Sequence, residues 1–122
     1  MLEKDLEKYL VQQCKAYNLV CIKGNPHGVK GYPDRIVFGD KIYFIELKLG
    51  KENGSYYGLT EMQKKWEIVI SQTKAEYLCL TNKEDIGKAI STIAGDAYAN
   101  DIINPFGFET AIKLPAQEEG ER

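Results

Sequence analysis

Apolar positions over residues 2–17 recur every three or four residues. Leu2, Leu6, Tyr9, Leu10, Cys14 and Tyr17 fall on one stripe at about 100° per residue, which predicts an amphipathic helix with Asn18 as its stop. At Leu19 the period changes. Leu19-Val20-Cys21-Ile22-Lys23 is a short run rich in β-branched residues and reads as a strand. A loop thick with turn formers follows over residues 24–31, and Tyr32-Pro33 then forces an extended entry, because the residue before proline avoids the helical region. Residues 31–48, GYPDRIVFGDKIYFIELK, predict a β-hairpin folded about Phe38-Gly39-Asp40-Lys41-Ile42.

Beyond the hairpin the pattern returns to helix and strand. Residues 49–58 are a polar loop ending near Tyr56 and Tyr57, a pair suited to stacking on bases or to packing at a loop base. Thr60 with Gln63 three residues on forms a capping box for a helix to about residue 73, with Leu59, Met62, Trp66, Val69 and Ile70 expected to face inward. Tyr77-Leu78-Cys79-Leu80 reads as a strand. Thr81 or Asn82 caps a last helix over residues 83–94, with Ile86, Ala89, Ile90 and Ile93 on one face and Gly95 as its end. Tyr98, Ile102, Ile103, Phe106 and Phe108 are too apolar for a free tail. Phe108, Thr110, Ile112 and Leu114 alternate like a strand, and residues 116–122 read as a disordered tail. The order helix, strand, hairpin, helix, strand, helix predicts an α/β fold, a mixed sheet with helices on its faces. It is organised as a single domain over residues 1–115, with a core of about 3–95 and an extension over 96–115.

The hairpin carries a charged residue at each end of interest: Asp34 at the mouth of the first strand, Glu46 and Lys48 near the end of the second. Side chains two apart on a strand share a face, so Glu46 and Lys48 do. Where Asp34 falls depends on the turn. A two-residue loop Gly39-Asp40 sets Asp34 opposite Ile45. A three-residue loop Gly39-Asp40-Lys41 sets it opposite Glu46, on the same face. A metal site requires the second register, or a bulge near Asp34, and one of these is expected. Ile36, Phe38, Ile42 and Phe44 then line the catalytic face, and Val37, Tyr43, Ile45 and Leu47 the other. Both are apolar, so both are expected to be covered by helices.

Composition narrows the chemistry. Three cysteines, Cys14, Cys21 and Cys79, with no CxxC spacing, read as small buried thiols in a reducing cytoplasm. Nothing at the N-terminus resembles a signal peptide, and no apolar run approaches a membrane span. With the single histidine His27, a metal would be held mostly by oxygen, which favours Mg²⁺, with Mn²⁺ able to substitute. The formal net charge of −2 counts modestly against a nucleic-acid binder, but Lys23, Lys30, Arg35, Lys41, Lys48, Lys51, Lys64 and Lys65 gather in the middle of the chain and allow a local basic face. Of these, Lys23, Lys30, Arg35 and Lys64 are the candidate nucleic-acid contacts. The glycines of the 24–31 loop precede a strand and no GK[ST] follows, which excludes a P-loop and a nucleotide cofactor.

Asp34 and Glu46 can bind one or two Mg²⁺ ions, with the backbone carbonyl of Leu47 as a further ligand. The ion would polarise a phosphate and lower the pKa of a bound water. Lys48 can position that nucleophile or offset charge in the transition state. Glu7, at the edge of the first helix's apolar stripe, admits either a solvated carboxylate or a place at the metal. Glu3, one turn earlier, reads as a carboxylate favouring the helix N-terminus. Gln63 has two competing jobs, capping its helix and reaching the site.

Pro33-Asp34, eleven intervening residues and Glu46-Leu47-Lys48 resemble the signature of the PD-(D/E)XK nuclease superfamily. The nearer resemblance is to its VRR-Nuc (virus-type replication-repair nuclease) branch. The pieces are Glu7 on the first helix, Lys23 on a strand, Gly31-Tyr32-Pro33-Asp34, Phe44-Ile45-Glu46-Leu47-Lys48 and Leu59-Thr60-Glu61-Met62-Gln63, over about residues 3–93. The branch often has a small apolar residue where Tyr32 sits. The resemblance implies a restriction-endonuclease-like αβα sandwich whose central hairpin carries the active site, and a Mg²⁺-dependent structure-specific DNA endonuclease with Glu7, Asp34, Glu46, Lys48 and Gln63 as catalytic residues. Small standalone members look like Holliday-junction resolvases, which implies a homodimer acting on branched DNA. The apolar extension from Tyr98 is the candidate for part of that interface. Weighed against this are a flap or nicking nuclease, a restriction-like enzyme, a catalytically silent nucleic-acid-binding module on the same fold, and a small α/β protein whose charges are structural.

Overall fold

The computed structural model describes residues 2–24, 28–50 and 58–107. The elements run α1 (Glu3–Ala16), β1 (Val20–Lys23), β2 (Arg35–Phe38), β3 (Ile42–Leu47), α2 (Glu61–Ser71), β4 (Glu76–Leu80) and α3 (Lys83–Ala99). The four strands form one mixed sheet in the order β1-β2-β3-β4. The first three are antiparallel, and β4 joins β3 in parallel after the α2 crossover. Among the described residues no helix is long and apolar enough to cross a membrane.

The hairpin takes the three-residue loop. Phe38 pairs with Ile42 and Arg35 with Ile45, and the Gly39 N–H donates to the Lys41 carbonyl at 2.9 Å. Continuing that register one step sets Asp34 opposite Glu46. Odd-numbered hairpin positions then point one way and even-numbered ones the other.

The odd face is the core. Val37, Tyr43, Ile45 and Leu47 are buried beneath Leu6, Leu10 and Cys14 of α1 and Ile86, Ile90, Ile93 and Ala97 of α3. Both helices therefore lie on this side, as their apolar stripes require. Leu2 and Tyr17, at the ends of the predicted stripe, are exposed, which leaves Leu6, Leu10 and Cys14 as its working part. α3 does not stop at Gly95 as expected; it runs on to Ala99 with Asn100 as its C-cap. Ala97, four residues after Ile93, extends the buried stripe, and its burial outweighs the cost of one helical glycine.

The even face departs further from expectation. α2 lies across it, but of the five residues expected to face inward only Ile70 is buried, while Met62 and Val69 are exposed and Trp66 half-buried. Phe38 and Ile42, cross-strand neighbours on this face, are exposed as well. The helix is short, and its N-terminal half is committed to the mouth of the hairpin. The indole N–H of Trp66 donates to the Lys30 carbonyl at 3.1 Å, and Tyr32 packs edge-on against both Trp66 and Phe44. Gly31 makes this approach possible: at φ +75° a Cβ would meet that of Met62 at 2.6 Å. Tyr32 is thus the anchor of the 28–34 lip. The expectation that helices cover both faces holds for one face and for one end of the other.

At the end of α3 and beyond it the described chain presents Tyr98, Ile102, Ile103 and Phe106 to the surface. The strand expected over residues 108–114, the tail over 116–122, the tyrosines Tyr56 and Tyr57, and His27 lie outside the described residues.

Candidate active site

The site is built by the mouth of the hairpin. Asp34 stands just before β2, where its carboxylate Oδ2 accepts the backbone N–H of Leu47 at 2.8 Å. Leu47 therefore serves the site through its amide while its side chain is buried in the core. Gly24, whose N–H donates to the Asp34 carbonyl at 2.9 Å, ties the end of β1 to the same point.

Glu46 is the one charged residue buried in the core of the described chain, at 4% exposure. Its Oε2 accepts from the Gln63 side-chain amide at 2.8 Å. The competition expected at Gln63 is resolved because an amide has two ends. Oε1 of Gln63 accepts the Thr60 N–H at 2.8 Å, the backbone N–H of Gln63 donates to the Thr60 hydroxyl at 3.2 Å, and Nε2 remains for Glu46. The cap fixes the amide plane, so the helix start orients Glu46.

The Asp34 and Glu46 carboxyl groups lie within hydrogen-bonding reach of each other. Burial pushes the Glu46 carboxyl up to about 8, and the Asp34 charge adds to that against the opposing pull of Lys48. Asp34 is also raised by burial, against which the Leu47 amide acts. Two ionised carboxylates cannot donate to each other; a shared proton or a cation is what lets them stand side by side. Of the two, Glu46 is pushed the further toward its protonated form, since the Leu47 amide favours the Asp34 carboxylate and the Asp34 charge disfavours that of Glu46. Among the described residues, Oε1 of Glu46 has no donor.

Glu7 is placed differently from Asp34 and Glu46. On α1 it accepts from Lys23 Nζ at 2.9 Å and from Arg35 Nε at 2.7 Å. Burial raises its carboxyl, but these two cations outweigh burial and hold it below the usual range. It acts on Asp34 through its charge. The same pairs engage two of the expected nucleic-acid contacts. Arg35 is 11% exposed and Lys23 half-exposed, and both face Glu7 rather than open solvent alone. Lys30 and Lys64 are exposed. Glu3 does more than favour the helix N-terminus, since it also accepts the Leu49 N–H at 3.3 Å, just past the end of β3. Among the described residues no group of three His, Cys, Asp or Glu side chains comes together as a metal cluster.

One residue near Glu46 was missed by the sequence reading. β4 pairs Tyr77 with Phe44 and Cys79 with Glu46, so Tyr77 and Cys79 share the even face with the site. The Tyr77 hydroxyl is buried and, among the described residues, lacks a partner. Burial and then the Glu46 charge push it above the ordinary tyrosine range. The alternation of β4 was the signal, but without the parallel register it could not be tied to Glu46.

Two clefts among the described residues lie away from this site. One of about 370 Å³ sits at the turn end of the hairpin, lined by residues such as Asp40, Lys41, Tyr43, Glu76 and Asp96. No family model, curated protein or solved structure matches this chain.

Proposed function

We propose that this chain is a divalent-metal-dependent DNA endonuclease of the restriction-endonuclease-like αβα type, acting on branched DNA in the manner of a Holliday-junction resolvase. The observation that carries the reading is the three-residue hairpin loop. It brings Asp34 and Glu46 together on one face, with a backbone amide on the first and a side-chain amide on the second.

The donor set fits Mg²⁺ or Mn²⁺. It consists of oxygen, it joins two carboxyl groups whose mutual repulsion a cation would relieve, and Glu46 Oε1 is buried without a donor. Asp34 and Glu46 would hold the ion, with the Leu47 carbonyl in support; when bound, it supplies Lewis-acid activation of the phosphate and of a water. Two protein carboxylates suffice for Mg²⁺, which usually keeps several waters.

The other residues take separate tasks. The Leu47 amide keeps Asp34 turned toward Glu46, and Gln63 keeps Glu46 turned toward Asp34. Lys48, on the same face as Glu46, brings an ammonium to where negative charge accumulates on the phosphate. Glu7 bridges α1 to β1 and β2 through its two ion pairs and so holds the Asp34 strand against the first helix. Lys30 on the lip and Lys64 on α2 flank the mouth and would contact backbone phosphates. Resolving a four-way junction takes two opposed nicks, which one site per chain supplies through a two-fold homodimer.

The test is cleavage of labelled four-way junction, flap, nicked and linear duplex DNA with Mg²⁺, with Mn²⁺ and with EDTA, beside Asp34→Asn. Paired symmetric nicks in the junction, abolished by EDTA and reduced on the order of 10²–10³-fold or more in the variant, are expected. Cleavage of flaps alone would discard the junction assignment and keep the site. DNA binding without cleavage of any substrate would leave a silent binding module on this fold as the better reading.

A further inference from the structure

Two buried polar atoms on the even face of the sheet lack partners among the described residues: Oε1 of Glu46 and the hydroxyl of Tyr77. One is an acceptor and the other a donor. In the parallel β3–β4 ladder Glu46 stands opposite Cys79, and Tyr77 is its diagonal neighbour on the same face. Diagonal positions are about 7–8 Å apart, within reach of a tyrosine side chain. The other carboxylates acting on that hydroxyl are weaker claimants. Glu67, on α2, is exposed and has solvent for a partner, and Asp34 already accepts the Leu47 amide. Asp34, for its part, offers Glu46 no donor when both are ionised.

We propose that Tyr77 is a positioning residue for Glu46, its hydroxyl donating to Oε1 through one bridging water. With Gln63 on Oε2, it would clamp the carboxylate plane in the orientation that holds a divalent cation. This rests on the metal-dependent reading above. Both oxygens of Glu46 then have a donor when the group is ionised, and each donor comes from a different element, α2 and β4. A carboxylate held at both oxygens cannot swing away from Asp34. Partners of this kind, one step behind a metal ligand, commonly set affinity by 10–100-fold.

The test is Mn²⁺ binding to the full-length, metal-free protein without DNA, measured by calorimetry on wild type, Tyr77→Phe and Glu46→Gln. Phenylalanine keeps the ring and removes only the hydroxyl, so the melting temperature should be unchanged or slightly higher. Tyr77→Phe should weaken Mn²⁺ binding about tenfold. Junction cleavage at saturating Mn²⁺ should show a fall in kcat with KM for DNA unchanged. Wild-type Mn²⁺ affinity in Tyr77→Phe, with Glu46→Gln still impaired, would overturn the role of Tyr77 and leave the nuclease reading standing. If wild type and Glu46→Gln bind Mn²⁺ equally, or neither binds it, the metal site itself is wrong and the Tyr77 proposal falls with it. A lowered melting temperature with Mn²⁺ affinity intact would make Tyr77 a packing residue only.

Discussion

The two faces of the β2–β3 hairpin are made by the same ten strand residues and could hardly be less alike. On the odd face Val37, Ile45 and Leu47 are essentially inaccessible under two helices. On the even face one helix covers one end, and Phe38 and Ile42 look out at the other. The polar groups of the odd face are already paired: Arg35 donates to Glu7 at 2.7 Å and the Tyr43 hydroxyl to Asp40 at 2.7 Å. The even face holds a buried glutamate, a half-buried aspartate and a tyrosine hydroxyl that lacks a partner among the described residues. Alternation lets one hairpin divide the work: every second residue secures the fold, and those between are free to carry groups that a core would reject.

The sharpest way to break the comparison is to damage the odd face alone. Ile45→Ala removes a fully buried side chain one residue from Glu46. It should cost about 2–5 kcal/mol of stability, read from the denaturant midpoint at unchanged slope. The ratio of cleavage to folded protein should stay near wild type. If activity per folded molecule collapses, the two faces are not separable, and the core sets the carboxylate geometry directly.

The second test uses pH. Glu46 is pushed up to about 8 in the folded chain against an ordinary value of 4.5. The folded state therefore holds a proton that the unfolded state has lost between those values. The Glu46 contribution to stability should be fullest below about pH 4.5, fall as pH rises through the window, and level off above about 8. Allowing for screening by solvent and by Lys48, the fall should be about 1–2 kcal/mol. Asp34, shifted in the same direction, adds to it. Thermal melts of wild type and Glu46→Gln across pH 5–8 check this. The variant should have a flatter profile and be the more stable of the two at pH 8, because its amide keeps an acceptor for Gln63 and carries no buried charge. Added Mg²⁺ should narrow the gap at pH 8 by stabilising the ionised wild type. A wild-type profile as flat as the variant's would mean that Glu46 is solvated after all.

The same division explains what the sequence made legible. Helical stripes and strand runs located each described element to within a few residues. The choice between loop lengths at Gly39 could be posed from Asp34 and Glu46 alone, because period-two alternation links turn length to face. The misjudged positions share a physical cause. Met62 and Val69 have the spacing of an inward stripe, yet apolar spacing says nothing of how far a helix is pulled by its end. Here Gln63 and Trp66 fix α2 at the hairpin mouth. Gly95 looked like a stop because the burial of Ala97 is a tertiary fact. The ion pairs of Lys23 and Arg35 were not legible because their partner Glu7 lies 16 and 28 residues away. Tyr77 needed a parallel register that no local pattern encodes.

The smallest effect is expected at the open end of the even face. Ile42 is 41% exposed and stands opposite Phe38, at 37%, across the hairpin. Ile42→Thr keeps the β-branch and the strand preference while reducing apolar surface already in contact with water. For the isolated chain, stability should therefore change by no more than about 0.5 kcal/mol. Cleavage should also be unaffected, because Ile42 lies at the far end of β3 from Glu46. The measurement is a denaturant midpoint taken at two protein concentrations well apart. A loss above about 1 kcal/mol would mean that the even face is covered more than its exposure implies. If that loss grew with protein concentration, the cover would be a second copy of the chain.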